Sequence, residues 1–163
     1  SLQLKASEKF SSVIENTPAA NSLISLNLSP RDYQEESATI ALQKGSGVIV
    51  LPTSAGKTLV IALIANAILT EKDYNILVLV PDIQLVQQTY QDFLDYGIPE
   101  SVISKWTGNH EFLETKIVIA NNQILLSKKQ DKDVLQRFQT VIVDECHKMA
   151  SAEKISKLVK ALN

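Results

Sequence analysis

Four short apolar runs punctuate the chain, Val48-Ile49-Val50-Leu51, Ile76 to Val80, Ile117 to Ala120 and Thr140 to Val143, and segments of helical length separate them. An apolar run without polar alternation suits a strand buried on both faces, and strands alternating with helices suit a parallel sheet covered on both sides. The expected fold class is therefore α/β, a parallel sheet with helices on both faces. A further short strand is expected at Val102 to Lys105.

The intervening segments carry helix signals. Ser29-Pro30-Arg31-Asp32 reads as a helix start, with Ser29 as the cap and Pro30 at the first helical position, and the helix is expected to reach about Gln43. Gly45-Ser46-Gly47 reads as a turn before a central strand at Val48 to Leu51. Helices are expected from Lys57 to about Lys72, from Pro81-Asp82 to about Tyr96, in pieces between Asn121 and Phe138, and from Ser151 to the end. Asn16-Thr17-Pro18, Asn21-Ser22 and Asn27 give the preceding stretch turn chemistry, so residues 1–28 are read as a loosely attached lead-in and 29–163 as the folded unit.

Composition narrows the function classes. With 45% hydrophobic and 21% charged residues in 163, there is apolar material for a sizeable core, and disorder is not expected. The net charge of −2 provides no general attraction for nucleic acid, so any polynucleotide grip has to be local. Cys146 is the single cysteine, which rules out an intrachain disulfide framework and a multi-cysteine zinc site and suits a cytoplasmic protein. The start shows no signal-peptide pattern, and the apolar stretch Leu59 to Leu69 is too short to span a bilayer, so no membrane role is expected.

Two segments carry chemistry. The first is Leu51-Pro52-Thr53-Ser54-Ala55-Gly56-Lys57-Thr58, lying between a strand and a helix. A phosphate chain needs backbone amides aimed at it, a glycine where the main chain passes close, and a helix amino end facing the anion. Gly56 and the following helix supply these; Lys57 would reach the β- and γ-phosphates, and Thr58 would ligate Mg²⁺. Leu51 stands where the general phosphate-loop pattern has glycine.

The second is Val141-Ile142-Val143-Asp144-Glu145-Cys146-His147. Carboxylates at the carboxyl end of a parallel strand stand in the crevice where such sheets bind ligands. Asp144 could hold Mg²⁺ through a water, and Glu145 could orient or deprotonate an attacking water. Alone, each segment also fits an ordinary turn; the two together favour an ATP site. His147 would relay the state of the phosphate to a neighbouring segment, and Cys146 would pack as a small apolar residue.

Pro-Thr-Ser-Ala-Gly-Lys-Thr together with Asp-Glu-Cys-His resembles the first and second motifs of superfamily 2 helicases and translocases, the latter in its DECH form. The resemblance implies a RecA-like P-loop NTPase lobe using ATP and Mg²⁺, with Pro52, Thr53, Ser54, Ala55, Gly56, Lys57 and Thr58 forming the nucleotide loop. Leu28-Ser29-Pro30-Arg31-Asp32-Tyr33-Gln34 is similar to the Arg-x-Tyr-Gln element of the branch holding type I and type III restriction motor subunits and repair helicases. There the resemblance implies that Gln34 reads the adenine edge, with Arg31 beside it; an amide offers that edge both a donor and an acceptor.

Val80-Pro81-Asp82-Ile83-Gln84-Leu85-Val86-Gln87-Gln88 is similar to the motif that contacts the nucleic-acid backbone, implicating Pro81, Asp82 and Gln87. Asp82 stands where the family commonly has Thr or Ser, and Asn121 where it usually has Thr. Thr107-Gly108 and Asn121 fall where similar backbone-contacting elements occur. Trp106 could stack on a base, although a lone Trp beside a strand is more often core. No Ser-Ala-Thr motif follows, so the expectation is a first lobe truncated before its third motif, partnered elsewhere by a second RecA-like lobe, with nuclease or specificity subunits as further partners. The expected substrate is DNA, with RNA open. A P-loop ATPase or kinase without a nucleic-acid role, and an inactive nucleotide-binding module, are the competing readings.

Overall fold

The computed structural model describes residues 2–6, 29–52, 56–72, 74–126 and 132–144. In chain order these form β1 (Leu2–Ala6), α1 (Asp32–Lys44), β2 (Ser46–Ile49), α2 (Lys57–Lys72), β3 (Ile76–Val80), α3 (Ile83–Asp95), β4 (Ile103–Trp106), β5 (Ile117–Asn121), α4 (Asn122–Leu126), α5 (Lys132–Leu135) and β6 (Thr140–Asp144). One sheet holds all six strands in the order β2-β1-β6-β3-β5-β4. The run β6-β3-β5-β4 is parallel throughout, as the alternation of strands and helices predicts.

The strand faces divide by residue parity. Ile76, Val78 and Val80 of β3 pack with Ile117, Ile119 and Ile142 against α1, α2 and α3. Leu77 and Leu79 face the other way, joining Val118, Ala120, Val141 and Val143 under Leu135 and Phe138. Successive residues of a strand point to opposite faces, so a wholly apolar run is what a doubly covered strand requires. The helix α2 is sheathed almost all round, with Leu59 to Ala65, Ala67 and Ile68 buried. Trp106 belongs to the second face, 9% exposed and edge-on to Phe112 with ring centroids 5.4 Å apart, so it is a packing residue and does not serve as an open stacking platform.

Four local expectations are corrected. The helix α1 begins at Asp32 with Arg31 as its cap residue in extended backbone (φ −80, ψ 153), so Ser29 does not cap it. The free amide of Arg31 donates to Gln34 Oε1 at 2.9 Å, three residues on, so the cap is built at Arg31 and a hydroxyl at Ser29 is not needed for it. The strand β2 starts at Ser46 because Gly45 alone turns the chain, in the left-handed region (φ 68) that a helix end commonly takes.

Nor is β2 central. It lies at the sheet edge with β1 as its neighbour, and Val48 and Val50 are 61% and 79% exposed. Residues 2–6, expected within a loose lead-in, form the strand between β2 and β6, antiparallel to both. The alternation of Leu2, Leu4 and Ala6 with Gln3 and Lys5 is a period-two pattern that five residues carry too briefly to stand out. Residues 7–28 and the helix expected from Ser151 lie outside the described residues.

Candidate functional site

Pairing registers bring the sequence-nominated residues to one rim of the sheet. Leu2 of β1 pairs with both Ile49 and Asp144, so the end of the strand that leads to the phosphate loop is level with the first acid. On the other side Leu79 pairs with Val143, Val80 with Asn121, and Trp106 with Ala120. Asp144, Pro81-Asp82, Asn121 and Thr107 therefore all follow the carboxyl ends of the parallel strands, where open α/β sheets bind ligands.

At the phosphate loop, Gly56 is left-handed (φ 69) immediately before α2, and its carbonyl accepts from Leu59 N at 3.1 Å and Val60 N at 3.4 Å. An L side chain there would be strained by the backbone and would collide with Gln34 Nε2. Lys57, the first residue of α2, holds its Nζ 3.8 Å from Asp144 Oδ1, with the two side chains 11% and 13% exposed. That separation makes the contact an ion pair and too long for a hydrogen bond. Thr58 is half-buried beside it. The residues between Pro52 and Gly56, Thr53, Ser54 and Ala55, lie outside the described residues, as do Glu145, Cys146 and His147.

Gln34 is 5% exposed and joins two elements: while Oε1 caps α1, Nε2 donates to Gly56 O at 3.4 Å. The residue nominated for the adenine edge thus touches the phosphate loop across 22 positions of sequence. Arg31 is exposed and donates from Nη1 to Tyr33 Oη at 3.3 Å.

The nominated nucleic-acid residues are engaged locally. Asp82 caps α3 through Oδ1, which accepts from Leu85 N at 2.9 Å. Gln87 accepts from Lys105 Nζ at 2.9 Å, and that ammonium lies 4.7 Å from the centre of the Tyr90 ring. Thr107 is buried and closes a tight turn, its hydroxyl 2.9 Å from His110 Nδ1, which leaves the exposed main chain at Gly108 as the part presented outward. Asn121 is buried at the end of β5.

Two cavities accompany these residues. One of about 410 Å³ is lined by Asp82, Ile83, Gln84, Asn121 and Gln123. The other, of about 400 Å³, lies against β4 and includes Tyr90, Glu100, Lys105 and His110; it shares no residue with the Lys57–Asp144 pair. Burial, then the nearby Glu100 carboxylate and its hydrogen bond, push the Tyr90 hydroxyl above the usual phenol range. Burial first and Asp95 second raise the Asp92 carboxyl in the same helix.

Sequence reasoning passed over Lys105, Ile83, Gln84 and Gln123. Gln84 and Gln123 each stand two residues from a nominated position, Asp82 and Asn121, so the signal was proximity to a strand end, which becomes informative only once the two strands are known to be neighbours.

The sequence pattern of the family described as "Type III restriction enzyme, res subunit" matches residues 27–163. The chain belongs to this family. Among curated relatives of this res-type chain, the ATP-dependent DNA helicase UvsW of Enterobacteria phage T4 is 31% identical over 142 residues, covering 83% of this chain and 28% of that protein. A protein of Methanocaldococcus jannaschii named as a candidate ATP-dependent RNA helicase is 32% identical over 134 residues, covering 74% of this chain and 16% of its own length. A crystal structure of the UvsW helicase from bacteriophage T4 superposes with a TM-score of 0.75 at 27% identity, covering 98% of this chain and 58% of that one. A second UvsW structure gives 0.76, with 33% of that chain covered. The res-type chain therefore has a helicase-family, RecA-like lobe, and it spans under a third of its curated relatives.

Proposed function

We propose that this chain is the nucleotide-binding lobe of an ATP-driven DNA helicase or translocase, coupling hydrolysis to movement along or unwinding of DNA. The observation that carries the reading is the half-buried Lys57–Asp144 pair at 3.8 Å, formed between the start of the helix after Gly56 and the end of a parallel strand. A cation and a carboxylate held there suit an anionic phosphate chain and a hard divalent cation respectively. The left-handed Gly56 keeps the main chain clear for close approach.

When bound, MgATP supplies the γ-phosphoryl group whose transfer to water provides the driving energy. The protein's part is to hold it. The main-chain amides of Thr53, Ser54, Ala55 and Gly56 would wrap the phosphates, Pro52 would shape the loop's entry without donating, and Lys57 would compensate the β- and γ-charges. Thr58 and Asp144 would hold Mg²⁺, which would supply charge stabilisation to the phosphates. Glu145 would orient the attacking water and take its proton, and His147 would pass the state of the site to its neighbours. Gln34 and Arg31 would receive the adenine, Gln34 with the amide that also touches Gly56.

Pro81, Asp82, Gln87, Thr107, Gly108 and Asn121 form the polynucleotide rim. A second RecA-like lobe supplies the arginine that stabilises transition-state charge, and a nuclease or specificity subunit is a further partner. No helix among the described residues is long and apolar enough to cross a membrane, and the reading places the motor in the cytoplasm.

Substituting Lys57→Ala or Glu145→Gln is expected to abolish ATP hydrolysis by the full-length protein, measured as phosphate release with single-stranded DNA, duplex DNA or RNA present. Retained turnover in either variant would overturn the assignment. ATPase activity indifferent to every polynucleotide would favour a P-loop ATPase or kinase without a nucleic-acid role, and absent activity in the wild type an inactive binding module.

A further inference from the structure

The cavity between the ends of β3 and β5 does not have the chemistry of a phosphate site. Its lining is one carboxylate, Asp82, three amides, Gln84, Asn121 and Gln123, and an isoleucine, Ile83. None of these is cationic, although phosphate contacts are usually made by Lys, Arg and backbone amides. The amino end of α3 is the one local feature that would attract an anion, and there Asp82 Oδ1 already accepts from Leu85 N at 2.9 Å. A phosphate entering would meet a like charge at an occupied amide.

What the cavity does offer is one exposed apolar side chain beside hydrogen-bond acceptors. Ile83 is 40% exposed, and Gln84 and Gln123 are exposed on either side. Asn121 lines the cavity while only 3% exposed, and its Oδ1 has no hydrogen-bond partner among the described residues. A buried acceptor without a donor is costly, and a ligand N–H would relieve it after a small rotation of the side chain. An apolar face with an acceptor-rich edge matches a nucleobase. The preferred edge bears an exocyclic amino group, since carboxylates accept from cytosine N4 and amides pair with adenine N6.

We infer that this cavity receives a splayed nucleobase of the tracked strand, with Asp82 accepting from its exocyclic amino group, and that the lobe therefore favours amino-bearing bases over thymine. The inference rests on the proposed reading of the lobe as part of a polynucleotide motor. Asp82 then acts as a specificity residue at a position where a hydroxyl would have served only the backbone.

Oligo(dC) and oligo(dT) of equal length are pyrimidine strands of the same charge that differ in the group at C4, in the N3 proton that goes with it, and in the thymine methyl. In anisotropy titrations of the full-length protein at fixed ionic strength, wild type is expected to bind oligo(dC) about tenfold more tightly than oligo(dT), the worth of one charge-assisted hydrogen bond. Asp82→Asn and Asp82→Thr both keep a side chain able to cap α3, and in each the preference is expected to fall to about twofold or less as the charged acceptor is lost. Equal wild-type affinities, or a preference that survives both substitutions, would overturn the inference and leave the motor reading standing. Failure to bind either oligonucleotide would overturn both.

Discussion

Gly56 and Gln34 are separated by 22 positions and meet over the phosphate loop. Gly56→Ala is expected to lower the midpoint of thermal unfolding, because the substituted residue carries a left-handed penalty of about 1–2 kcal/mol and its Cβ displaces the Gln34 amide. Gln34→Ala alone loses the α1 cap, so the contact is read from a double-mutant cycle: Gly56→Ala should cost less in the Gln34→Ala background than in wild type, and equal costs would contradict the contact. Asp92 provides a second residue-scale test. Its carboxyl is raised by burial and by Asp95, so the native state holds the proton more tightly than the unfolded chain. The stability of the protonated form is present below the ordinary carboxylate range and is lost as pH rises through the raised value. Asp92→Asn cannot ionise, so it should unfold at a higher temperature than wild type near neutral pH and lose that advantage in acid; a pH series of melting curves checks this.

At the scale of elements, α2 is the helix on which the first core face closes, with Ile64 fully buried near its middle. Ile64→Ala is expected to cost about 2–5 kcal/mol, read from the shift of the urea midpoint at constant slope. The elements most legible in the sequence were those with strong internal signals: α2 spans Lys57–Lys72 and β3 spans Ile76–Val80, as the apolar runs and flanking turns predict. What remained illegible was neighbour order. The run Val48 to Leu51 has the apolar content of a central strand, yet its place at the edge follows from a separate strand, β1, whose pairing depends on residues far away in sequence. Local composition reports how a segment wishes to be buried, and only the pairing decides which segment covers it. The same holds at the site, where Lys57 and Asp144 were legible as separate motifs and Gln84 with Gln123 gained meaning only from the pairing of Val80 with Asn121.

At the scale of the molecule, the proposed engine divides its transition-state machinery between lobes. Residues 1–163 alone are therefore expected to bind ATP weakly and to turn it over little, because an arginine donor in phosphoryl transfer is worth about 10³–10⁵ in rate. Robust DNA-stimulated phosphate release from this chain by itself would contradict that division. The half-buried pair of Lys57 and Asp144 has a consequence of its own. Each charge serves as the other's counter-ion, so neither stands unbalanced where water is partly excluded. Separating them asks for two replacements at once, an anion for the ammonium and a cation for the carboxylate. Nucleotide without metal answers only the lysine, and metal without nucleotide only the aspartate. In the proposed reading the pair would work as an exchange of partners that rewards the two ligands arriving as one, a gate set by charge balance.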